Sequence, residues 1–402
     1  MSKSIHFFGQ SVFGQLISLI DRSDVQKAVE QTGSDRFNKG FTTWNHLVSM
    51  VFCSAGNCNS IRELVGAFLG LKGKTEHFAM TRLPRRSTVS DTNKKRTPRV
   101  FKLIYQSTLS RYKKTISDSR VEEHFGKEVN ILDSSTISLF QAILKCVGQK
   151  PKSGKSKGGI KVHTVLNPDE HVPRLIWYSS AATHDIDFCK HVEFKKGVLY
   201  VFDKGYTDHW RYDQWTKDEI LFVTRIKENV TYQTLQELDI DEGIDPGVIK
   251  DEWIKIPLRT DGKIVGETRL RRVAYWDDRR EKLIVFLSNI EDLDAGQIAA
   301  LYKVRWKIEL LFKQLKRSYP LKYFLGDNEN AITIQIWCAL IVNLLLTIIQ
   351  HKVKNRTWAF SNITSFVRLH LFNNIHLIKF LESPEKDWQQ ILGIRQMLLF
   401  SD

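Results

Sequence analysis

The chain has 402 residues, with 60 Lys plus Arg against 45 Asp plus Glu and a formal charge of +15. That length exceeds the size at which one hydrophobic core keeps growing, so two or three domains are expected. The basic excess favours a polyanionic partner, nucleic acid ahead of acidic membranes or acidic proteins.

Five cysteines, Cys53, Cys58, Cys146, Cys189 and Cys338, are scattered and odd in number. The start MSKSIHFFGQ lacks the apolar run of a secretory signal, so the expectation is a reducing cytoplasm. Cys53 and Cys58 are spaced like half a zinc site, but no second Cys or His pair stands at ligand spacing.

From Ser4 to about Glu128 the apolar period is helical. FGQLISLIDRSDVQKAVEQ, TTWNHLVSMVFCSA and SIRELVGAFLGL repeat apolar residues at three and four, with Ser60 as N-cap of the third. Between Arg82 and Lys114 there are eleven Lys or Arg and one acid, Asp91. Ser87 is expected to cap a short helix after Pro84, and Thr97-Pro98 to start another. Two helices joined by a turn rich in Arg and Lys fit helix-turn-helix docking on a duplex, with Arg85, Arg86, Lys94, Lys95, Arg96 and Arg99 as candidate contacts. A solvated charged face is the simpler alternative.

From Val129 the period becomes that of strands: VNILDSSTISLF, IKVHTVLNP, PRLIWYSS, VLYVFDKGY and ILFVTRIK, with a helix around Asp208 to Thr216. QKPKSGKSKGG, before the second of these, reads as a basic connection and matches no phosphate-loop pattern. Alternation from about Glu228 to Leu283 suggests an inserted antiparallel patch, and LIVFLSN leads out of it. AITIQIWCALIVNLLLTII, Ala331 to Ile349, is as long as a membrane span and uncharged. It carries Thr333, Gln335, Asn343 and Thr347 and has no second span beside it, so a buried core helix is expected and no membrane partner.

Chemistry gathers on AALYKVRWKIELLFKQLKRS, Ala299 to Ser318. At about 100° per residue, Tyr302, Arg305, Glu309, Lys313 and Lys316 share an arc of roughly 80°, with Val304, Ile308, Leu311 and Leu315 opposite. A carboxylate among a phenol, a guanidinium and ammonium groups suits a metal held against phosphates. Two further acids follow apolar runs: Asp133 closes VNILD and Asp203 closes VLYVFD. Strand ends are usual addresses for catalytic groups in α/β folds. Three clustered carboxylates need counter-charge, and divalent metal supplies it. Taken singly, each has an ordinary reading: an Asx cap for Asp133, a turn residue for Asp203, an i, i+4 partner of Lys313 for Glu309. Taken together, those readings lose. His163 and His184 are more economically local hydrogen-bonding residues, since two-metal phosphoryl transfer needs no His.

On these residues the chain resembles bacterial insertion-sequence transposases of the DDE class, in the group whose signature is Tyr-x2-Arg-x3-Glu-x6-Lys. Tyr302, Arg305, Glu309 and Lys316 match that spacing, and LDSSTISL and FDKGY are similar to the group's two Asp motifs. The resemblance implies an α/β chain with a ribonuclease-H-like catalytic core (129–330) carrying a β-rich insertion (about 228–285). A helical N-terminal DNA-binding domain (1–128) precedes the core and C-terminal helices (331–402) follow it. It further implies Asp133, Asp203 and Glu309 as ligands of two Mg2+ or Mn2+ ions, with Tyr302, Arg305 and Lys316 on the DNA backbone; Lys313, on the same helix face, is a further candidate DNA contact. Implied partners are double-stranded DNA, as terminal inverted repeats and target, and a second copy of the chain, in a nucleoid-associated cytoplasmic protein. Some relatives stack a flipped base on a Trp of the insertion; here Trp253 and Trp276 are the candidates, and core packing is the simpler role for both. Rival readings are a catalytically dead DNA-binding descendant and a stand-alone metal-dependent nuclease.

Overall fold

The computed structural model describes the chain apart from residues 1–8, 37, 39, 71–72, 74, 81–82, 117–123, 139–158, 171, 241–246, 320, 322–323, 355–357 and 385–402. The basic connection before Ile160 and Cys146 thus lie outside the described residues. Two compact units form. One comprises 1–117, 140–147 and 313–402, and the other 118–139 and 148–312. The first joins N-terminal and C-terminal helices that the sequence presented as separate regions.

In the helical unit, α1 (Val12–Ile17), α2 (Arg22–Thr32), α3 (Thr43–Ala55) and α4 (Ile61–Gly70) precede α5 (Arg86–Lys95) and α6 (Arg99–Ile116). Side-chain oxygens begin several of these helices by satisfying orphan N–H groups. Asp21 accepts from Ser23 N, Thr42 from Asn45 N, and Ser60 from Glu63 N. The two helices expected after Pro84 are present, but Ser87 lies inside α5, and Arg85 occupies the N-cap position without a side-chain cap bond. The long apolar segment is α10 (Glu329–Lys352), packed against α3, α5 and α6. Its most apolar window is wholly buried within the protein. Its polar residues find partners there: Gln335 Oε1 accepts from Leu325 N, and Asn343 Oδ1 from Gln314 Nε2. An all-round apolar helix belongs in such a core. α11 (Phe360–His370) and α12 (Leu377–Glu382) complete the unit.

The second unit is built on a nine-stranded sheet. Its strands are β1 (Val129–Ser138), β2 (Gly159–Leu166), β3 (Pro173–Ser180), β4 (Leu199–Phe202), β5 (Leu221–Arg225), β6 (Gln233–Glu237), β7 (Val248–Thr260), β8 (Lys263–Asp277) and β9 (Lys282–Ser288). Their order is β3-β2-β1-β4-β5-β9-β8-β7-β6. β1, β4 and β5 run parallel to one another, and the other neighbours pair antiparallel. The antiparallel strands β6 to β9, in the stretch expected as an insertion, continue the same sheet, with β9 pairing with β5. At the tip of its long β7–β8 hairpin, Asp261 and Gly262 take φ of 49° and 80°, the double left-handed turn that matches strand twist.

Strand β4 shows why its residues are apolar throughout: both faces of the sheet are covered. Tyr200 and Phe202 pack with Tyr212, Trp215 and Phe222 on the side of α7 (His209–Lys217). Leu199 and Val201 pack with Ile298, Ala299 and Leu301 of α8 (Ala295–Val304) on the other.

The segment expected as one helix from Ala299 is two, α8 and α9 (Trp306–Ser318), meeting at Arg305. The backbone there stays right-handed, at φ −52° and ψ −29°. Its hydrogen bonds tighten to i→i−3, with Arg305 N on Tyr302 O and Ile308 N on Arg305 O. Ile308, Leu311 and Leu315 are buried as expected, whereas Val304 is only half-buried.

Candidate active site

Backbone register brings the first two acids together. Leu132 of β1 pairs in parallel with Phe202 of β4, so Asp133 and Asp203 are the next residues on adjacent strands. Asp133 does not end its strand. β1 runs on to Ser138 against β2, and Asp133 marks where the ladder with β4 stops. Asp203 leaves the sheet and caps a short 3-10 turn, Lys204–Tyr206, its Oδ1 accepting from Lys204 N at 2.7 Å.

The helix junction supplies the rest. Arg305 donates Nη1 to Asp133 Oδ2 at 2.8 Å and Nη2 to Glu309 Oε1, so one guanidinium joins two of the acids. The Tyr302 hydroxyl donates to Asp203 Oδ1 at 3.4 Å, and its ring rests on Phe286 of β9 with centroids 4.9 Å apart. Arg225, which the sequence reading passed over, ends β5 and donates both Nε, at 3.0 Å, and Nη2 to Asp203 Oδ1. Arg225 and Arg305 both lie against the Tyr302 ring, at 5.9 and 5.7 Å. The signal for Arg225 was present: like Asp203, it follows an apolar run, LFVT.

Burial and charge set the protonation balance. Asp133, whose side chain is 16% exposed, has its carboxyl raised to about 6. Burial is the main cause; Asp203 and Glu309 add to it, and Arg305 opposes it. For Asp203 burial also pushes upward, but the hydrogen bond and charge of Arg225 and the Lys204 N–H outweigh it, leaving the carboxyl below its ordinary value. Burial pushes the Tyr302 phenol up to about 12. Arg305 is held firmly protonated, because Tyr302, Asp133 and Glu309 overcome the cost of its burial.

As a donor set, three carboxylates suit a hard divalent cation. Among the described residues, however, no three His, Cys, Asp or Glu side chains are gathered at metal-ligating spacing. Two arginines supply the counter-charge instead, and Arg305 Nε is left buried without an acceptor. The donors fit the ion in kind, with Arg305 seated between two of them.

Lys313 and Lys316 are exposed further along α9. In the helical unit, Arg85, Arg86, Lys94, Lys95 and Arg99 are exposed, but Arg96 is not available as a surface contact. Its residue exposure is 8%, and it donates to Asp35 Oδ1 and to the carbonyls of Phe41 and Thr42 at 3.1 to 3.2 Å. His163 is buried, with Nε2 on Ser179 Oγ at 2.7 Å and its pKa lowered to about 4 by burial. His184 precedes the 3-10 turn Asp185–His191. Trp253 is buried beneath Arg269, whereas Trp276 is exposed. Cys53 and Cys58 are free buried thiols, Cys53 Sγ donating to Cys58 O at 3.5 Å.

Beside Asp203 opens a cavity of about 280 Å³ lined by Lys204, Arg225, Lys227, Arg272, Lys282 and Tyr232, among others. Its cationic wall and aromatic ring are the combination used to hold single strands of nucleic acid.

The family described as Transposase DDE domain matches residues 124–345. This chain belongs to the DDE transposases. A second family, a domain of unknown function (DUF4372), matches residues 8–80. A Sinorhizobium fredii protein named as a transposase is 32% identical over 238 residues, covering 56% of this chain and 66% of that relative. An insertion-sequence transposase of Geobacillus stearothermophilus is 24% identical over 87% of this chain and 88% of its own length. One from Synechocystis is 28% identical over 70% and 74%. A solved piggyBac transposase synaptic complex with hairpin DNA aligns at TM-score 0.41 and 12% identity, over 96% of this chain and 82% of that one, a likeness too slight to carry an argument. Membership of the DDE family implies dependence on a divalent metal and action on DNA.

Proposed function

We propose that this DDE transposase belongs to the group with the Tyr-x2-Arg-x3-Glu-x6-Lys signature and cuts and joins DNA at the inverted repeats of a bacterial insertion sequence. The observation that carries the reading is Arg305, which joins Asp133 to Glu309 while the β1–β4 register sets Asp133 beside Asp203. Acids on adjacent parallel strands of a mixed sheet, met by a helix after the antiparallel strands, support a ribonuclease-H-like core. Asp133, Asp203 and Glu309 would hold two Mg2+ or Mn2+ ions, which when bound activate a water or 3′-hydroxyl and neutralise charge on the phosphate. Arg305 and Arg225 hold the acids' counter-charge and present donors that grip phosphate oxygens, as Tyr302, Lys313 and Lys316 do further along the strand. The exposed Arg85, Arg86, Lys94, Lys95 and Arg99 take the flanking duplex, and two copies bring two ends together in the cytoplasm, on the nucleoid.

The test is cleavage of a duplex carrying the element's own ends, in Mg2+. Asp133→Asn, Asp203→Asn and Glu309→Gln each lose cleavage by about a hundredfold or more while retaining end binding. A variant that cuts as well as the parent removes that acid from the site. A parent that binds ends without cutting is a dead descendant, and cutting that ignores the ends marks a nuclease.

A further inference from the structure

We propose that Asp185, a fourth carboxylate outside the three acids, is a positioning residue that clamps the segment bearing Asp133 against the turn bearing Asp203. The inference rests on reading those two as the working acids.

Asp185 opens the 3-10 turn that follows β3, with its side chain 28% exposed. Toward β1, its Oδ1 accepts the Ser134 hydroxyl at 2.6 Å, and the N–H of the same Ser134 donates to Asp133 Oδ1 at 2.8 Å. One residue is thereby tied to both carboxylates. From β2, Lys161 Nζ stands 3.2 Å from Asp185 Oδ1 and also donates to Thr183 O at 2.8 Å, which fixes the approach of the Asp185 segment. A charge-assisted bond of this kind, partly shielded from water, is stronger than a fully exposed pair.

Toward the second acid, Asp185 meets Gly205, two residues after Asp203. A Cβ on Gly205 would lie 3.1 Å from Asp185 Oδ2. Gly205 has no left-handed φ, so its glycine is explained by the room Asp185 takes and not by the backbone. The turn that carries Asp203 thus passes close enough to the carboxylate that holds Ser134 that a methyl group at Gly205 would press on it. Burial first, then the charges of Asp185 and Asp133, push up the phenol of Tyr206, next to Gly205. Such partners of ligating residues govern how ligands are presented, and their loss commonly costs about 10- to 100-fold in metal affinity or activity.

The experiment uses the full chain and four variants: Asp185→Ala, Asp185→Asn, Ser134→Ala and Gly205→Ala. Three quantities are read: kcat for end cleavage, Kd for end DNA, and Mn2+ affinity without DNA by electron paramagnetic resonance. Asp185→Ala is expected to lower kcat and Mn2+ affinity about tenfold or more with Kd within about twofold of the parent. Asp185→Asn keeps an acceptor for Ser134 and recovers most of both. Ser134→Ala lowers both in the same direction, and adding it to Asp185→Ala costs no more than Asp185→Ala alone. Gly205→Ala, pressing on Asp185, also lowers Mn2+ affinity. Should Asp185→Ala fail to fold, Ser134→Ala, which removes one hydroxyl, decides. Parental kcat and Mn2+ affinity in Ser134→Ala overturn the proposal even where Asp133→Asn and Asp203→Asn are inactive. Full cleavage by Asp133→Asn overturns the underlying reading instead.

Discussion

Arg96→Met separates scaffold from DNA contact among the basic residues of the helical unit. The guanidinium donates to one carboxylate, Asp35, and to two carbonyls, Phe41 and Thr42, from a position 8% exposed. Hydrogen bonds to a charged group contribute about 1.5 kcal/mol or more each, so three amount to roughly 5 kcal/mol. Met loses about as much rotamer freedom on burial as Arg, so little returns there, and it keeps most of the buried stem, leaving a net loss of about 5 kcal/mol. In a unit of roughly 200 residues, each kcal/mol moves the melting midpoint about 2–4 °C, so a fall of about 15 °C is expected by scanning calorimetry. Arg86→Met and Lys95→Met, on the exposed surface, should stay within about 0.5 kcal/mol of the parent. At temperatures where all three are folded, those two should each lower the salt slope of end binding by about one, and Arg96→Met should leave it unchanged. A parental midpoint for Arg96→Met, joined to a lower salt slope, would refute this account.

Burial raises the Asp133 carboxyl to about 6 from 3.8, so the metal-free folded chain holds a proton the unfolded chain has released. The stability from that proton is full below about pH 4 and is lost as pH rises through 6, on the order of 3 kcal/mol. Asp133→Asn should therefore match the parent near pH 4 and melt higher at pH 8 in chelator; equal midpoints at both would contradict it. Arg225→Gln strips Asp203 of its main partner and should slow end cleavage about 10- to 100-fold, measured as kcat, with binding much less affected. Neutralising Lys227 and Lys282 in the cavity beside Asp203 should reduce the salt slope of end binding by about one each, read by fluorescence anisotropy.

Much of the local structure was legible because it depends on neighbours in the chain. The strand runs that carry Asp133, Asp203 and Arg225, the helix before Asp218 and the cap at Ser60 all follow from spacing and residue type within a few positions. The face of Tyr302, Arg305 and Glu309 was readable for the same reason, although its helix tightens at Arg305. Arg96 misled because its sequence context, Lys94-Lys95-Arg96, is that of a solvated run, while its partners lie more than fifty residues upstream.

By itself, the sequence singled out Asp133, Asp203, Tyr302, Arg305 and Glu309 as candidates and most of the strands and helices that present them, since periodicity and capping are short-range. Only the tertiary structure decided their company. Asp133 neighbours Asp203 through the parallel register of β1 and β4. Arg225 serves Asp203 because β5 ends beside β4, and Asp185 reaches Ser134 and Gly205 across the sheet. Register, burial and charge balance arise between segments far apart in the chain, and no local pattern encodes which of them will meet.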